Sequence, residues 1–445
     1  MRIFEAVRGF SDRTNAAAII SPRGRFTYSD LILEATSLRD LLRAEHDAGE
    51  PVVAQTQDPF ATAVVVLGCD AAGVPVIHRD PAAVDPGEPT LLTDVPADRR
   101  DAQLVAPFGL FIVRRRTSLR LPAHSHTFMT SGTTGSPVGV VRDAGAIIAD
   151  AQRVAGCLEY GPDSPTLVAA PLFHAYGFNY GLIAPLLAGT SVRHVPSRSL
   201  SSALSRAAES ARILIGLPFH YEILATQWMP SLRKAVTAGA PLSREVVSTI
   251  QGCGSFVLYN CYGSSEVGAA TLMPIAGDED PGDVGVPLPG IAVCVDRGEL
   301  LVRSSSLAAG RLTADGMTPL PLSCGWYRTG DLAEVTVDNH ILLGGRLDAI
   351  INVAGKKIHP SEIESVLSLH PAVADVHVFA ESDESRGRVP VAQVILRGPA
   401  TTADLEQWCR GRLAPYQQPR RILAVDEIPR SATGKVTAFL HKEEK

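Results

Sequence analysis

The sequence predicts an α/β protein in two parts. A large N-terminal domain of layered α/β subdomains with a small β-rich subdomain is followed by a small α+β C-terminal domain. Three observations predict it. Helix-like and strand-like segments alternate through the first third, the habit of a parallel sheet covered by helices. Beyond residue 280 the texture changes to short strands and turns. From residue 349 a compact tail carries 13 Lys and Arg against 12 Asp and Glu, a net of +1 that leaves −7 for the rest. At 445 residues the chain is too long for a single core.

The elements follow in order. Phe26-Thr27-Tyr28-Ser29-Asp30 reads as a strand end capped into a helix over 31–44, with apolar residues at helical spacing. A strand over 51–55, a helix over 60–72 and a strand over 74–77 continue the alternation. Residues 81–105 are polar and rich in Pro and Asp, and read as an irregular connector. Two β-like runs, 126–129 and 138–141, enclose a Ser/Thr/Gly-rich loop, and a helix over 144–159 begins only after the second. Strands are expected at 290–294, 299–303, 332–337 and 341–344. In the tail the pattern gives a helix over 361–369, strands over 373–379 and 389–396, and a helix over 402–413.

Composition narrows the function. Apolar content of 45%, charge of 20% and a net charge of −6 describe an ordinary globular protein and give no footprint for a nucleic-acid partner. Seven dispersed cysteines without a CxxC pair suit free thiols in a reducing cytoplasm rather than a metal or disulfide framework. The N-terminus MRIFEAVRGFSDR lacks a signal pattern, and the longest apolar run, Ala61 to Gly68, is too short to span a bilayer. No fixed-period repeat is present. A cytoplasmic location is expected.

The chemistry starts at TSGTTGSPVGVV, Thr130 to Val141. Free backbone N–H groups and short hydroxyls without side-chain bulk suit an anion. The Walker pattern fails, because Gly132 is followed five residues on by Pro137, Gly135 by Val140, and a strand rather than a helix comes next. The loop has no cation: Val138 stands where polyphosphate would call for Lys. Arg142 is the nearby side chain considered as its substitute.

Four further stretches stand out: Tyr262-Gly263-Ser264-Ser265-Glu266, Trp326-Tyr327-Arg328-Thr329-Gly330-Asp331, Gly345-Arg346-Leu347-Asp348 and Pro429-Arg430-Ser431-Ala432-Thr433-Gly434-Lys435. Each alone reads more simply as core, turn or solvated charge. In this order, behind TSGTTG, they resemble the adenylate-forming superfamily of acyl- and aryl-CoA ligases, peptide-synthetase adenylation domains and luciferases. Pro171-Leu172-Phe173-His174, GDVGVPLPG at 282–290, GELLVR at 298–303 and HPSEIE at 359–364 extend the likeness to nearly the whole chain.

The resemblance implies the chemistry. A carboxylate attacks the α-phosphate of ATP, pyrophosphate leaves, and a thiol then displaces AMP from the acyl-adenylate. Thr130, Ser131, Gly132, Thr133, Thr134 and Gly135 would hold the phosphates. Tyr262 would stack on adenine, with Gly239, Ala240 and Pro241 against its other side and Gly263 in the same turn. Ser265 would bond the α-phosphate and Glu266 would hold Mg²⁺. Asp331 would bind ribose and Arg346 ribose or phosphate. Lys435 would bind substrate carboxylate and nucleotide in the first step. That implies a mobile C-terminal domain, 348–445, rotating against 1–347 about a hinge at Asp348, with Gly355 beside the thiol tunnel. His174 would gate the acid site rather than act as a base.

The substrate reading is narrower. HAYGFNYG offers no Asp to pair an α-ammonium, which argues against amino acids. By likeness to benzoate ligases, Tyr176, Gly177 and Phe178 would wall a short flat pocket for a small aromatic acid such as a hydroxybenzoate, with a fatty acid as the alternative. The sequence ends ten residues after Lys435, so the thiol is expected in trans on CoA or an acyl carrier protein, with a lean to the latter. Arginines at 386, 388, 410, 412, 420 and 421 would meet either one, or form a solvated face. A nucleotide-binding pseudoenzyme is the rival reading, resting on Val138 alone.

Overall fold

Thr27 opens the first long helix by a reciprocal cap. Its hydroxyl accepts from the Asp30 N–H, while the Asp30 carboxylate accepts from the Thr27 N–H, so Tyr28–Glu45 starts closed. Asp58 caps Pro59–Ala72 through the N–H groups of Phe60 and Ala61, and Gly73, at φ 81°, ends it. That second helix is buried along nearly its whole length. The computed structural model describes residues 2–11, 16–47, 49–84, 87, 89–94, 102–106, 109–131, 137–195, 210–225, 229–239, 242, 244–253, 256–277, 279–280, 282–353, 356–383, 387–430 and 436. They divide into two units. The first holds Met1–Glu279, Val284–Ala292 and Val302–Tyr327, the second Asp280–Asp283, Val293–Leu301 and Arg328–Lys445.

Two sheets organise the first unit. One has eight strands in the order Gly268–Pro274, Val257–Ser264, Lys234–Ala238, Ile213–Ile215, Thr166–Val168, Val192–His194, Ala17–Ser21 and Gly24–Thr27. The inner six run parallel and the two edges antiparallel. The other has nine, in the order Gly316–Pro319, Gly310–Thr313, Pro137–Asp143, Ser125–Ser131, Val76–His78, Val52–Gln55, Thr90–Thr93, Leu110–Val113 and Gln103–Ala106. Its parallel centre, 125–131 to 90–93, carries antiparallel hairpins on both sides.

Residues 81–105 correct the expected connector. Thr90–Thr93 is a fully buried strand parallel to Val52–Gln55, and Gln103–Ala106 forms an edge. Runs of four residues between Pro and Asp clusters are too short to show a period.

In the second unit, the 328–335 part of the strand Trp326–Val335 runs antiparallel to Ile341–Arg346, with Asp331 facing Arg346. The tail sheet places Ile351–Val353 and Val373–Asp383 on either side of Gly387–Leu396, and Arg421–Ala424 pairs with the latter in parallel. Helices Pro360–Ser368 and Thr402–Arg410 pack on it through Ile363, Leu367 and Leu405. Among the described residues no helix is long and apolar enough to cross a membrane.

Candidate active site

The loop noticed first in the sequence lies within a hairpin of the nine-stranded sheet. Thr130 faces Val138, Met129 faces Gly139 and Phe128 faces Val140. The Thr130 hydroxyl donates to the Val138 carbonyl at 2.9 Å, tying the hairpin together just before the loop. Gly139 is required by crowding, since a Cβ there would stand 2.6 Å from Thr127 Cγ2. Ser131 ends the first strand, while Gly132, Thr133, Thr134 and Gly135 lie outside the described residues. On the hairpin's other flank the strand Gly310–Thr313 brings Arg311 opposite Val140. Because side chains alternate, Thr130, Val138, Val140, Arg142 and Arg311 share one face of the sheet.

The parallel strands of the other sheet lead into three more of the sequence motifs. Thr166–Val168 leads to Pro171-Leu172-Phe173-His174, Lys234–Ala238 to Gly239 at φ 92°, and Val257–Ser264 to Ser265 and Glu266. Ligands in α/β sheets gather off such carboxyl ends. The half-buried His174 packs its ring against Phe173 at 4.5 Å, and its carbonyl accepts from Phe178 N–H at 2.9 Å. A π-helical segment, Gly177–Ile183, follows. Gly177 is a packing glycine, because a Cβ would meet the Pro171 carbonyl oxygen at 2.3 Å. The Tyr176 hydroxyl is held between the carbonyls of Gly216, at 3.0 Å, and Val236, at 2.7 Å. Ala240 and Pro241 lie outside the described residues.

The Ser264–Gly268 turn is held from beneath by Asp150, on the helix Ala144–Leu158. Its carboxylate accepts from Arg142 at 3.1 Å, Asn179 at 2.7 Å, the Tyr180 hydroxyl at 2.9 Å and Ala269 N–H at 3.1 Å. Burial first, then the Asp150 charge, push the Tyr180 phenol well above its ordinary range, so it stays a neutral donor. Gly268, at φ 81°, has no room for a Cβ, which would sit 2.4 Å from Asp150 Oδ2. Gly263 is equally constrained, 2.0 Å from the Gly268 oxygen. Tyr262 and Ser265 are half-buried on this supported turn.

Glu266 emerges from the turn and meets Arg311 at 2.9 Å; Arg311 also donates to the Tyr327 hydroxyl at 2.8 Å. Burial alone would lower the Arg311 pKa, but Tyr327 and Glu266 raise it on balance, so its charge is secure. Among the described residues no three His, Cys, Asp or Glu side chains gather to hold a metal. A single carboxylate is the kind of protein ligand that Mg²⁺ takes beside water and phosphate oxygens.

In the second unit Arg346 forms a fork to both Asp348 oxygens, at 3.1 and 3.2 Å, and reaches Asp331 at 3.1 Å. The Arg346 hydrogen bond holds the Asp348 carboxyl below its ordinary value, and Arg346 is correspondingly raised. Gly330 and Arg346 are in close approach, with a Gly330 Cβ position 3.2 Å from Nη2. Gly355 and Lys435 lie outside the described residues.

Two sequence expectations change. Arg142 cannot stand in for a loop lysine: it is 1% exposed and committed to Asp150 and the Ser306 carbonyl. Phe178 is fully buried among His78, His126 and Phe128, with ring centroids 4.8–5.3 Å away, a core position rather than a pocket wall. Sequence reasoning missed Asp150 and Arg311. Neither sits in a recognisable motif, and only the pairing of 310–313 with 137–143 brings Arg311 to the site.

A hairpin flanked by Arg311, and a carboxylate–arginine pair on a turn off a parallel sheet, mark the candidate site of this α/β protein. Family models described as "AMP-binding enzyme" and "AMP-binding enzyme C-terminal domain" match residues 126–312 and 362–435. A probable CoA ligase of Humulus lupulus is 32% identical over 357 residues, 69% of this chain and 59% of that protein. The 2-succinylbenzoate–CoA ligase of Salmonella typhimurium is 31% identical over 301 residues, 67% of this chain and 64% of that one. The chain thus spans about three fifths of the length of these curated relatives. In fold it matches the o-succinylbenzoate coenzyme A synthetase of Bacillus subtilis in complex with AMP, with a TM-score of 0.83 at 21% identity over 98% of this chain and 97% of that one. The chain belongs to the adenylate-forming superfamily of AMP-binding enzymes.

Proposed function

We propose that the protein is an AMP-forming acid–thiol ligase that activates a small aromatic acid and passes it to a phosphopantetheine thiol. The observation that carries this reading is the Glu266 carboxylate, set on a rigid turn and paired with Arg311 on the phosphate-hairpin face. In the first step a substrate carboxylate oxygen bonds the α-phosphorus of ATP, the bond to the β-phosphate breaks, and pyrophosphate leaves. In the second a thiolate bonds the acyl carbon, AMP leaves, and the thiol proton passes to solvent. Both steps bring anions together, so fixed donors and cations supply most of the acceleration.

Thr130 and its loop would hold the phosphates, Tyr262 and Gly239 to Pro241 the adenine, Ser265 the α-phosphate, and Asp331 and Arg346 the ribose. Lys435 would serve the first step and Gly355 the second, which requires the C-terminal domain from Asp348 onward to turn between them. Glu266 would hold Mg²⁺, which supplies charge neutralisation to the phosphates when bound. His174 and Tyr176 would border the acid. The Salmonella relative is a ligase of a benzoate derivative, which supports an aromatic acid, and the relatives' names favour CoA as the thiol.

The test is acid-dependent exchange of labelled pyrophosphate into ATP across benzoates, hydroxybenzoates and fatty acids. Thioester formation with CoA and with holo-carrier protein is then compared. Exchange with small benzoates followed by benzoyl-CoA formation is the expected result. ATP binding without exchange on any acid would instead make this a pseudoenzyme.

A further inference from the structure

The inference here rests on the adenylation reading and concerns how ATP is held. A triphosphate carries more charge than neutral hydroxyls and amides offset, and the described residues of the 125–143 hairpin present no free cation to it. Arg142 lies on the right face but is consumed by Asp150 and Ser306. The neighbouring strand supplies one. Arg311 stands directly opposite Val140, so its side chain leaves the sheet on the face shared with Val138 and Thr130. Its side chain remains 39% exposed while Glu266 Oε1 and the Tyr327 hydroxyl fix the guanidinium's orientation. A planar fork with donors to spare suits phosphate oxygens, and prior orientation lowers the ordering cost of binding.

We propose that Arg311 is the cation that binds the β- and γ-phosphates of ATP, taking from the adjoining strand the part a lysine at position 138 would play. No bond is made or broken by this residue. It neutralises charge and positions pyrophosphate as a leaving group, beside the carboxylate that would carry the divalent ion. A merely structural role, positioning Glu266, would act through the divalent ion and would not be rescued by a lysine at position 138. The two roles are therefore separable by rescue.

The experiment measures equilibrium binding of ATP, pyrophosphate and AMP, each with Mg²⁺, to the full chain, to Arg311→Gln and to Arg311→Gln with Val138→Lys. Loss of one charge-assisted contact predicts about ten- to a hundredfold weaker ATP and pyrophosphate binding. AMP affinity should stay within about twofold, because the missing contact lies beyond the α-phosphate. Val138→Lys should restore most of the loss in the double variant. Equal loss for ATP and AMP, or no rescue by the lysine, would overturn the proposal. If Arg311→Gln does not fold, Arg311→Lys carries the test: a partial loss confined to ATP and pyrophosphate supports it, and an equal loss on AMP refutes it. The unaltered protein is measured first. Failure to bind ATP at all would bring down the adenylation reading and this inference with it, whereas ATP binding without ligand selectivity in the variant overturns the inference alone.

Discussion

Arg142 and Arg311 occupy adjacent strands of one sheet and point from the same face, yet their surroundings give them opposite uses. Arg142 is 1% exposed, locked to Asp150 beneath the helix Ala144–Leu158. Arg311 is 39% exposed, with a carboxylate partner that is itself a candidate metal ligand. The same guanidinium thus acts as a structural rivet at the covered end of the face and as an available anion-binding group at the open end. Distance along the strand decides which. A few residues carry the chain from beneath a helix to the rim of the hairpin.

That contrast can be broken at either end. The largest effect is expected at the covered end. Arg142→Met leaves the buried Asp150 carboxylate with only the more distant Arg153, at 3.7 Å, as its charge partner and should cost about 3–5 kcal/mol of stability in urea denaturation. A loss below about 1 kcal/mol would show that the pair is not structural. Next comes acid. His126 faces Arg142 across the hairpin, and burial first, then His124, depress its pKa from 6.5 to about 3. The unfolded chain takes up that proton below pH 6.5 and the folded chain does not. Stability from this site is therefore full above pH 6.5 and declines as pH falls toward 3, and His126→Gln should flatten the decline. An unchanged slope would assign acid sensitivity to other groups.

Gly268→Ala sharpens the contrast from the turn. Its Cβ would press on Asp150, so a loss of about 1–3 kcal/mol is expected, together with weaker nucleotide binding through the displaced Ser265 and Glu266. Nucleotide affinity unaffected by a real stability loss would uncouple the turn from Asp150. The smallest stability effect belongs to the open end. Arg311→Gln breaks a half-exposed pair, with Arg311 39% and Glu266 18% exposed, and should shift the unfolding free energy by about 1 kcal/mol. A larger drop would make Arg311 a second rivet.

What the sequence made legible was local. The helices near 60–72 and 144–159, and the hairpin around the Ser/Thr/Gly loop, depend on neighbours a few residues away. The order of the motifs was enough to identify the family. Contacts that cross the chain were not legible. Arg311 and Glu266 are 45 residues apart and meet only because a short strand joins the hairpin's edge. Asp150 draws on residues from three other segments, and in the sequence it looks like one more helix charge. Phe178 failed as a pocket residue because sequence likeness marks a position, while burial against His78 and Phe128 is set by the neighbouring sheet.

The central claim, attack of a carboxylate on the α-phosphorus of ATP, is tested most directly by following oxygen. A benzoate accepted in the exchange assay, labelled with ¹⁸O in its carboxylate, is turned over with ATP and CoA, and the phosphate-containing products are analysed by mass spectrometry. The account predicts one labelled oxygen in AMP and none in pyrophosphate. Label in inorganic phosphate, or unlabelled AMP alongside thioester, would contradict it.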